Sequence, residues 1–195
     1  MEKTGSTSFT RTISICYIAL FTTIIAVMAQ ISIPMPMGVP LTLQTLAVLA
    51  VLMTIGGRRG TIAITVYLAL GAVGVPVFSQ FKGGPAAFIG PTGGFLAGFL
   101  VASLIFWLFE KLFFARLMTT SAKRFIFGIV NSLIFEIVLY TVGVIWFMTV
   151  YAAQRGPVGL GTVLGWCVIP FIIPDLIKLI AASVIGSRAS RFVRP

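Results

Sequence analysis

The sequence predicts an all-α integral membrane protein, a single transmembrane domain over residues 1–195 built as a six-helix bundle. Three observations predict it. Of 195 residues, 58% are hydrophobic and only 9% charged, with a mean hydropathy of +1.10, where a soluble domain carries about 25% charged residues. The apolar residues fall into six runs, each set off by polar or Gly/Pro-rich stretches. The basic residues collect on alternate connections between those runs, as the positive-inside rule requires of spanning helices.

The first run, 13–33, is about 20 residues long, which suits a spanning helix better than the roughly 7–15-residue core of a signal peptide. Segment 1–12 before it is polar. Runs 39–55, 61–78, 93–114 and 125–151 follow, and the last, 158–185, is interrupted by Pro170 and Pro174. Lipid offers backbone groups no partner, so each run is expected to be helical. With the N-terminus inside, the cytoplasmic side receives Lys3, Arg11, Arg58, Arg59, Lys111, Arg116, Lys123, Arg124, Arg188, Arg191 and Arg194, eleven of the fourteen basic residues. The outer side receives Lys82 and Arg155, and Lys178 lies within a run. This asymmetry needs an even number of spans and puts both termini in the cytoplasm. The net charge of +10 is therefore topology rather than a nucleic-acid footprint.

The outer connections differ in kind from the inner ones. "IPMPMGVP" (33–40) has three prolines, a glycine and no charge. "GVPVFSQFKGGPAAFIGPTGG" (74–94) is long, Gly/Pro-rich and aromatic at Phe78, Phe81 and Phe88. Its backbone cannot face lipid unpaired, so it should fold into the bundle mouth and line a cavity.

The last run raises the functional question. In "PFIIPDLIKLIAA" (170–182), Asp175 and Lys178 sit three residues apart among apolar neighbours. A charge at the bilayer centre costs about 2.5–3.5 kcal/mol on insertion scales. Residues three apart share a helix face, so the two can offset one another as a pair. The arrangement can hold the bundle together or act as a polar clamp, with Asp accepting and Lys donating to a donor–acceptor group such as a urea. A short segment at about 158–169 is expected, followed by a helix beginning at Pro174. Proline suits the first turn, and an acid there is favoured by the helix dipole. From 174 to 187 such a helix spans about 21 Å, and Arg188 and Arg191 can snorkel to the inner interface. Glu136 is a second embedded acid, near the middle of the fifth run. It shares a face with Tyr140 and is open to protonation or to pairing with Lys178 across the bundle.

Several function classes lack their residues. The chain has no histidine, the commonest general base and metal ligand. It has no phosphate loop, no H-E-x-x-H and no G-x-S-x-G. No metal, cofactor or chemistry on a substrate is expected. Cys16 and Cys167 lie inside apolar runs and read as packing thiols. Ala19, Thr22, Ala26 and Ala29 form a stripe of small residues on the first helix. Such stripes let helix backbones approach closely, within the bundle or against another membrane subunit.

These residues resemble the BioY-type biotin transporters, substrate-binding membrane components of energy-coupling-factor (ECF) transporters. The resemblance covers most of the chain and rests on "GVPLTLQTLAVL" (38–49), "GGRRGTIAITVYLALGAVGVPVF" (56–78), "GPTGGFLAGF" (90–99), "LYTVGVIWF" (139–147) and "PFIIPDLIK" (170–178). The family's last motif usually reads P-F-L-P-G-D-L-x-K. Here Ile173 and Pro174 stand in place of Pro and Gly, while Asp175 and Lys178 keep their positions. "FSQFKGG" likewise departs from a plain Gly-rich loop.

The resemblance implies six helices, capture of biotin from outside the cell membrane, and ligand contacts at Asp175 and Lys178. It implies a transmembrane coupling subunit and two cytoplasmic ATPases as partners, with ATP hydrolysed by those subunits. The small-residue stripe is then a candidate partner face. Biotin has a flat bicyclic ring, a ureido group and a carboxylate on an aliphatic chain. Phe78, Phe81, Phe88, Phe95, Tyr140 and Trp146 are candidate walls, and Asp175 and Lys178 suit the ureido end. Lys82, Gln80 or the N–H groups around Thr92 and Gly93, where a helix begins, are candidate donors to the carboxylate. Thr42 and Gln44 are placed at the rim. Two rival readings stand beside this one: a component for another vitamin, and an intramembrane enzyme or stand-alone proton-coupled carrier using Glu136 and the Asp175–Lys178 pair, the enzyme disfavoured by the lack of histidine and catalytic motifs.

Overall fold

The computed structural model describes residues 3–35, 39–117 and 121–193; part of the first proline-rich connection, at 36–38, lies outside them. Eight α-helices account for most of the described residues: α1 (Lys3–Gln30), α2 (Gln44–Ile55), α3 (Gly57–Ala72), α4 (Ala86–Ile89), α5 (Gly93–Leu117), α6 (Ser121–Arg155), α7 (Leu160–Cys167) and α8 (Ile172–Val193). Two 3-10 turns lie at Ser79–Phe81 and Ile169–Phe171. Two short strands, β1 (Ser32–Ile33) and β2 (Leu41–Thr42), pair antiparallel with Ser32 opposite Thr42.

Among the described residues, four helical stretches are long and apolar enough to cross a membrane: Arg11–Gln30, Gly93–Phe113, Lys123–Arg155 and Leu160–Val193. The second and third apolar runs give shorter helices than the sequence suggests. Pro40 and the β1–β2 pairing occupy the first residues of run 39–55, so α2 starts at Gln44 and its 12 residues rise about 18 Å. Helix α3 ends at Ala72, ahead of a turn at Gly74, where φ is +105°, and of Pro76. At the other end α3 begins four residues before its apolar run.

The sixth run breaks as its prolines require. Helix α7 stops at Cys167, Pro170 sits in the first turn of the 3-10 segment, and α8 begins at Ile172. Pro174 is thus the third residue of α8 rather than the first. The N–H groups of a first helical turn have no intrahelical acceptor, so a proline there removes nothing. The helix also runs on past 187 to Val193.

Helix α5 packs on α6, α2 on α8, and α3 on both α1 and α5. The largest core joins Ile25, Val48, Leu49, Leu52, Ile64, Tyr67, Phe135 and Leu179. A second, under α7, gathers Val144, Phe147, Val163, Cys167 and Phe171. Large apolar side chains are also exposed along α1, α5, α6 and α8, among them Ile15, Val27, Leu108, Ile137, Ile145, Ile177 and Ile180. Apolar surface of that extent suits lipid rather than water. The basic residues sort by end: Lys82 and Arg155 border one hollow, and Arg58, Arg59 and Lys111 border another.

The small-residue stripe of α1 is used mostly within the chain. Thr22 is buried and its hydroxyl donates to the Ala63 carbonyl of α3 at 3.0 Å. Ala29 is fully buried and Ala26 packs on the core, which leaves Ala19 as the exposed member.

The α2–α3 corner depends on a close approach. The Gly57 N–H donates to the Glu110 carboxylate of α5, satisfying one of the free donors at the start of α3. A β-carbon on Gly57 would lie 2.7 Å from the Trp107 α-carbon, which is backbone and cannot swing aside. Gly57→Val should therefore destabilise the bundle by about 1–3 kcal/mol, the usual range for overpacking. A thermal melt of the purified protein in detergent checks it; an unchanged midpoint would show that the corner is slack.

Candidate functional site

A cavity of about 120 Å³ opens between the start of α2, the segment before α5, and the facing turns of α6 and α8. That is several times the roughly 10–15 Å³ a single water needs. Its wall is largely apolar and aromatic, with Val39, Phe78, Phe95, Leu96, Phe99, Leu139 and Phe171. The polar groups on it are few: Thr42, Gln44, Thr45, Ser79, Lys82, Thr92, Tyr140, Asp175 and Lys178. An apolar pocket with a small number of placed polar groups is the usual form of a small-molecule site.

Asp175 and Lys178 lie on the first turns of α8 and are both 7% exposed. The Lys178 ammonium donates to Asp175 Oδ1 at 2.7 Å. The Tyr140 hydroxyl, reaching from α6, donates to Asp175 Oδ2. Both carboxylate oxygens are thereby held, and the aspartate is fixed at the cavity wall by two helices. The Phe95 ring meets Tyr140 edge to face, with centroids 6.3 Å apart, so α5 braces the same tyrosine. Two further wall groups have no partner among the described residues: Gln44 Nε2, on a residue 4% exposed, and Ser79 Oγ. Buried polar atoms are normally satisfied, so these two are suited to a ligand.

The segment between α3 and α5 is tied down from α1. The Gln30 amide nitrogen lies 3.1 Å from the Val77 carbonyl and 3.2 Å from that of Phe78, and the Phe81 N–H donates to Gln30 Oε1 at 2.9 Å. This clamp holds Gln80 and Phe81 in the left-handed region, with φ of 61° and 56°. Inside the loop, Phe78 packs edge to face between Tyr67 and Phe88 at 5.4 and 5.5 Å.

Nine of the sequence-derived candidates therefore border one cavity: Thr42, Gln44, Phe78, Lys82, Thr92, Phe95, Tyr140, Asp175 and Lys178. Three do not. Gln80 is exposed on the loop. Gly93 is buried at the start of α5, where any β-carbon would overlap the Phe88 carbonyl, so it shapes the corner rather than the wall. Trp146 donates from Nε1 to the Gly90 carbonyl at 3.0 Å and packs over Gly94; it braces the loop from outside. Phe81 is likewise turned outward, 73% exposed. Ser79, Cys167 and Phe171 border the cavity without having been singled out. Ser79 lies in the loop expected to line a cavity, whereas the apolar surroundings of Cys167 and Phe171 carry no mark of the site, although Phe171 neighbours the Pro170 break.

The architecture and the sequence agree on a family. The BioY family model matches residues 1–195. The chain belongs to the BioY family. The biotin transporter BioY of Thermotoga maritima is 34% identical over 172 residues, covering 88% of this chain and 92% of that protein. BioY2 of Lactococcus lactis subsp. cremoris is 35% identical over 178 residues, covering 91% and 90%. Among solved structures, the crystal structure of the S-component for biotin from an ECF-type ABC transporter superposes with a TM-score of 0.76 at 27% identity, covering 98% of this chain and 95% of that one. With its apolar helices, the chain is a multi-pass membrane protein of a transporter family.

Proposed function

We propose that this chain binds biotin and takes it up as the S component of an ECF-type ABC transporter. The observation that carries the proposal is the buried Asp175–Lys178–Tyr140 cluster on an otherwise apolar cavity, in a fold matching an S-component for biotin. A ureido group offers N–H donors to Asp175 and a carbonyl to Lys178. The ring and aliphatic chain fit the walls made by Phe78, Phe95, Phe99 and Leu139. Gln44 Nε2 supplies a further donor, and Lys82 at the exposed rim suits the carboxylate.

The topology that goes with this reading has six crossings in the cell membrane and both termini in the cytoplasm, with α2 and α3 as the short pair and α7–α8 as one broken span. The Gly/Pro-rich segment before α5 forms the outer cover of the site. Release inward is driven by a transmembrane coupling subunit and two ATPase subunits that hydrolyse ATP, with no cofactor in this chain and no chemistry on biotin. Ala19, on the open side of the α1 stripe, is the member placed for contact with such a subunit.

Equilibrium binding of biotin and of a panel of other vitamins to the purified protein tests the assignment. Biotin should bind and the others should not. Preference for a different vitamin would move the chain to another substrate, and uptake driven by a pH gradient with no ATPase present would make it a stand-alone carrier. Gln44→Leu should weaken biotin binding about tenfold, as loss of one hydrogen bond of about 1.4 kcal/mol does. Unaltered affinity would remove Gln44 from the ligand's contacts.

A further inference from the structure

Glu136 lies on α6, one turn before Tyr140 and on the same face. It is 8% exposed, and neither carboxylate oxygen has a hydrogen-bond partner among the described residues. It does not border the cavity. It lies close enough to Asp175 and Lys178 for both their charges to act on it. Among the described residues, Asp175 and Lys178 on α8 and Tyr140 on its own helix are the titratable groups that interact with it. At the adjacent position of α6, Phe135 packs on Phe99 of α5.

Charge counting limits what this cluster can hold. Two ionised acids and one ammonium leave a net negative charge away from water, and an uncompensated buried charge is strongly unfavourable. The hydrogen bonds already assign the single cation. Lys178 donates to Asp175, Tyr140 donates to the other oxygen of Asp175, and no described residue donates to Glu136. The neutral arrangement is an ionised Asp175–Lys178 pair beside a Glu136 that carries a proton.

We propose that Glu136 is a proton-holding positioning residue outside the ligand cavity, one that keeps Lys178 on Asp175 while protonated and competes for Lys178 when it ionises. The proposal rests on the biotin-binding reading above. Its consequence is directional. Losing the proton draws the ammonium toward α6, away from the cavity wall and from the ligand's acceptor. Affinity is therefore greatest at low pH and falls as pH rises through the titration of Glu136, by about tenfold per pH unit once a single required proton is lost.

The test measures biotin affinity across neutral to alkaline pH for wild type, Glu136→Gln and Glu136→Leu, and records the infrared carbonyl stretch of protonated carboxylic acids in each. Wild type should lose affinity with rising pH and show the band. Both variants should keep high affinity across the range and lack the band. Glutamine preserves the shape of the side chain, and leucine gives a second uncharged form should glutamine fold poorly. A pH profile shared by wild type and Glu136→Gln would assign the titration to Asp175, Lys178 or biotin and overturn the proposal. So would a wild-type spectrum at neutral pH that Glu136→Gln leaves unchanged. Absence of biotin binding by every form would overturn the functional reading instead, and the infrared difference then decides the proton alone.

Discussion

Asp175→Asn should abolish high-affinity biotin binding, with the loss read by equilibrium binding on protein that remains folded. The aspartate is the shared acceptor of Lys178 and Tyr140. Asparagine keeps the shape but offers one carbonyl oxygen where two charged oxygens stood. A hydrogen bond to a charged group is worth about 1.5–3 kcal/mol, or roughly ten- to a hundredfold in affinity for each such bond lost to the ligand. The substitution also leaves Lys178 buried without its counter-charge, which costs about 3–5 kcal/mol of stability. Binding and folding must therefore be separated. The double variant Asp175→Asn with Lys178→Met removes both charges and should regain most of the thermal stability, since an apolar replacement of a buried pair is often neutral. It should not regain biotin binding. A double variant that binds as well as wild type would reduce the pair to a structural link between α8 and its own first turn.

How much of this site could be read from the sequence depended on contrast and on distance along the chain. Asp175 and Lys178 stand out because a membrane run rarely carries charges, and their three-residue spacing puts them on one face. The break between α7 and α8 was legible for a similar reason: Pro170 and Pro174 lack the N–H that a helix interior needs. The beginning of α5 at Gly93 followed from the Gly/Pro cluster before it. What stayed hidden involves partners far apart in sequence. Gln30 holds the loop at Val77, Phe78 and Phe81, 47–51 residues away, yet in the sequence it is one amide at the end of an apolar run. The aromatic character of Trp146 suits a wall but does not show which way an indole faces. Its bond to Gly90 turns it outward. The α1 stripe was open to both an inner and an outer partner, and the hydroxyl of Thr22 meets α3.

The cavity also depends on a contact that no motif announces, and a change there should have the second large effect. Gly143 of α6 faces the Phe95 ring of α5 so closely that a β-carbon would overlap it. That ring borders the cavity and meets Tyr140 edge to face. Gly143→Leu cannot be absorbed by the helix backbone, so the ring must move, and its free side is the cavity. The displaced ring would occupy ligand space and press on the tyrosine that donates to Asp175. Overpacking of this kind costs about 1–3 kcal/mol. Expressed in binding, that is a loss of about five- to 150-fold in biotin affinity, alongside a lowered melting midpoint. The pair of residues can be tested against each other. Phe95→Ala in the Gly143→Leu background removes the obstructing ring, so the double variant should bind better than Gly143→Leu alone, although not as well as wild type, because the aromatic wall is gone. Two residues in contact should show such non-additivity. Strictly additive losses would mean that Phe95 does not transmit the change. Full affinity in folded Gly143→Leu would mean that biotin binds somewhere other than the cavity bordered by Phe95, Tyr140 and Asp175.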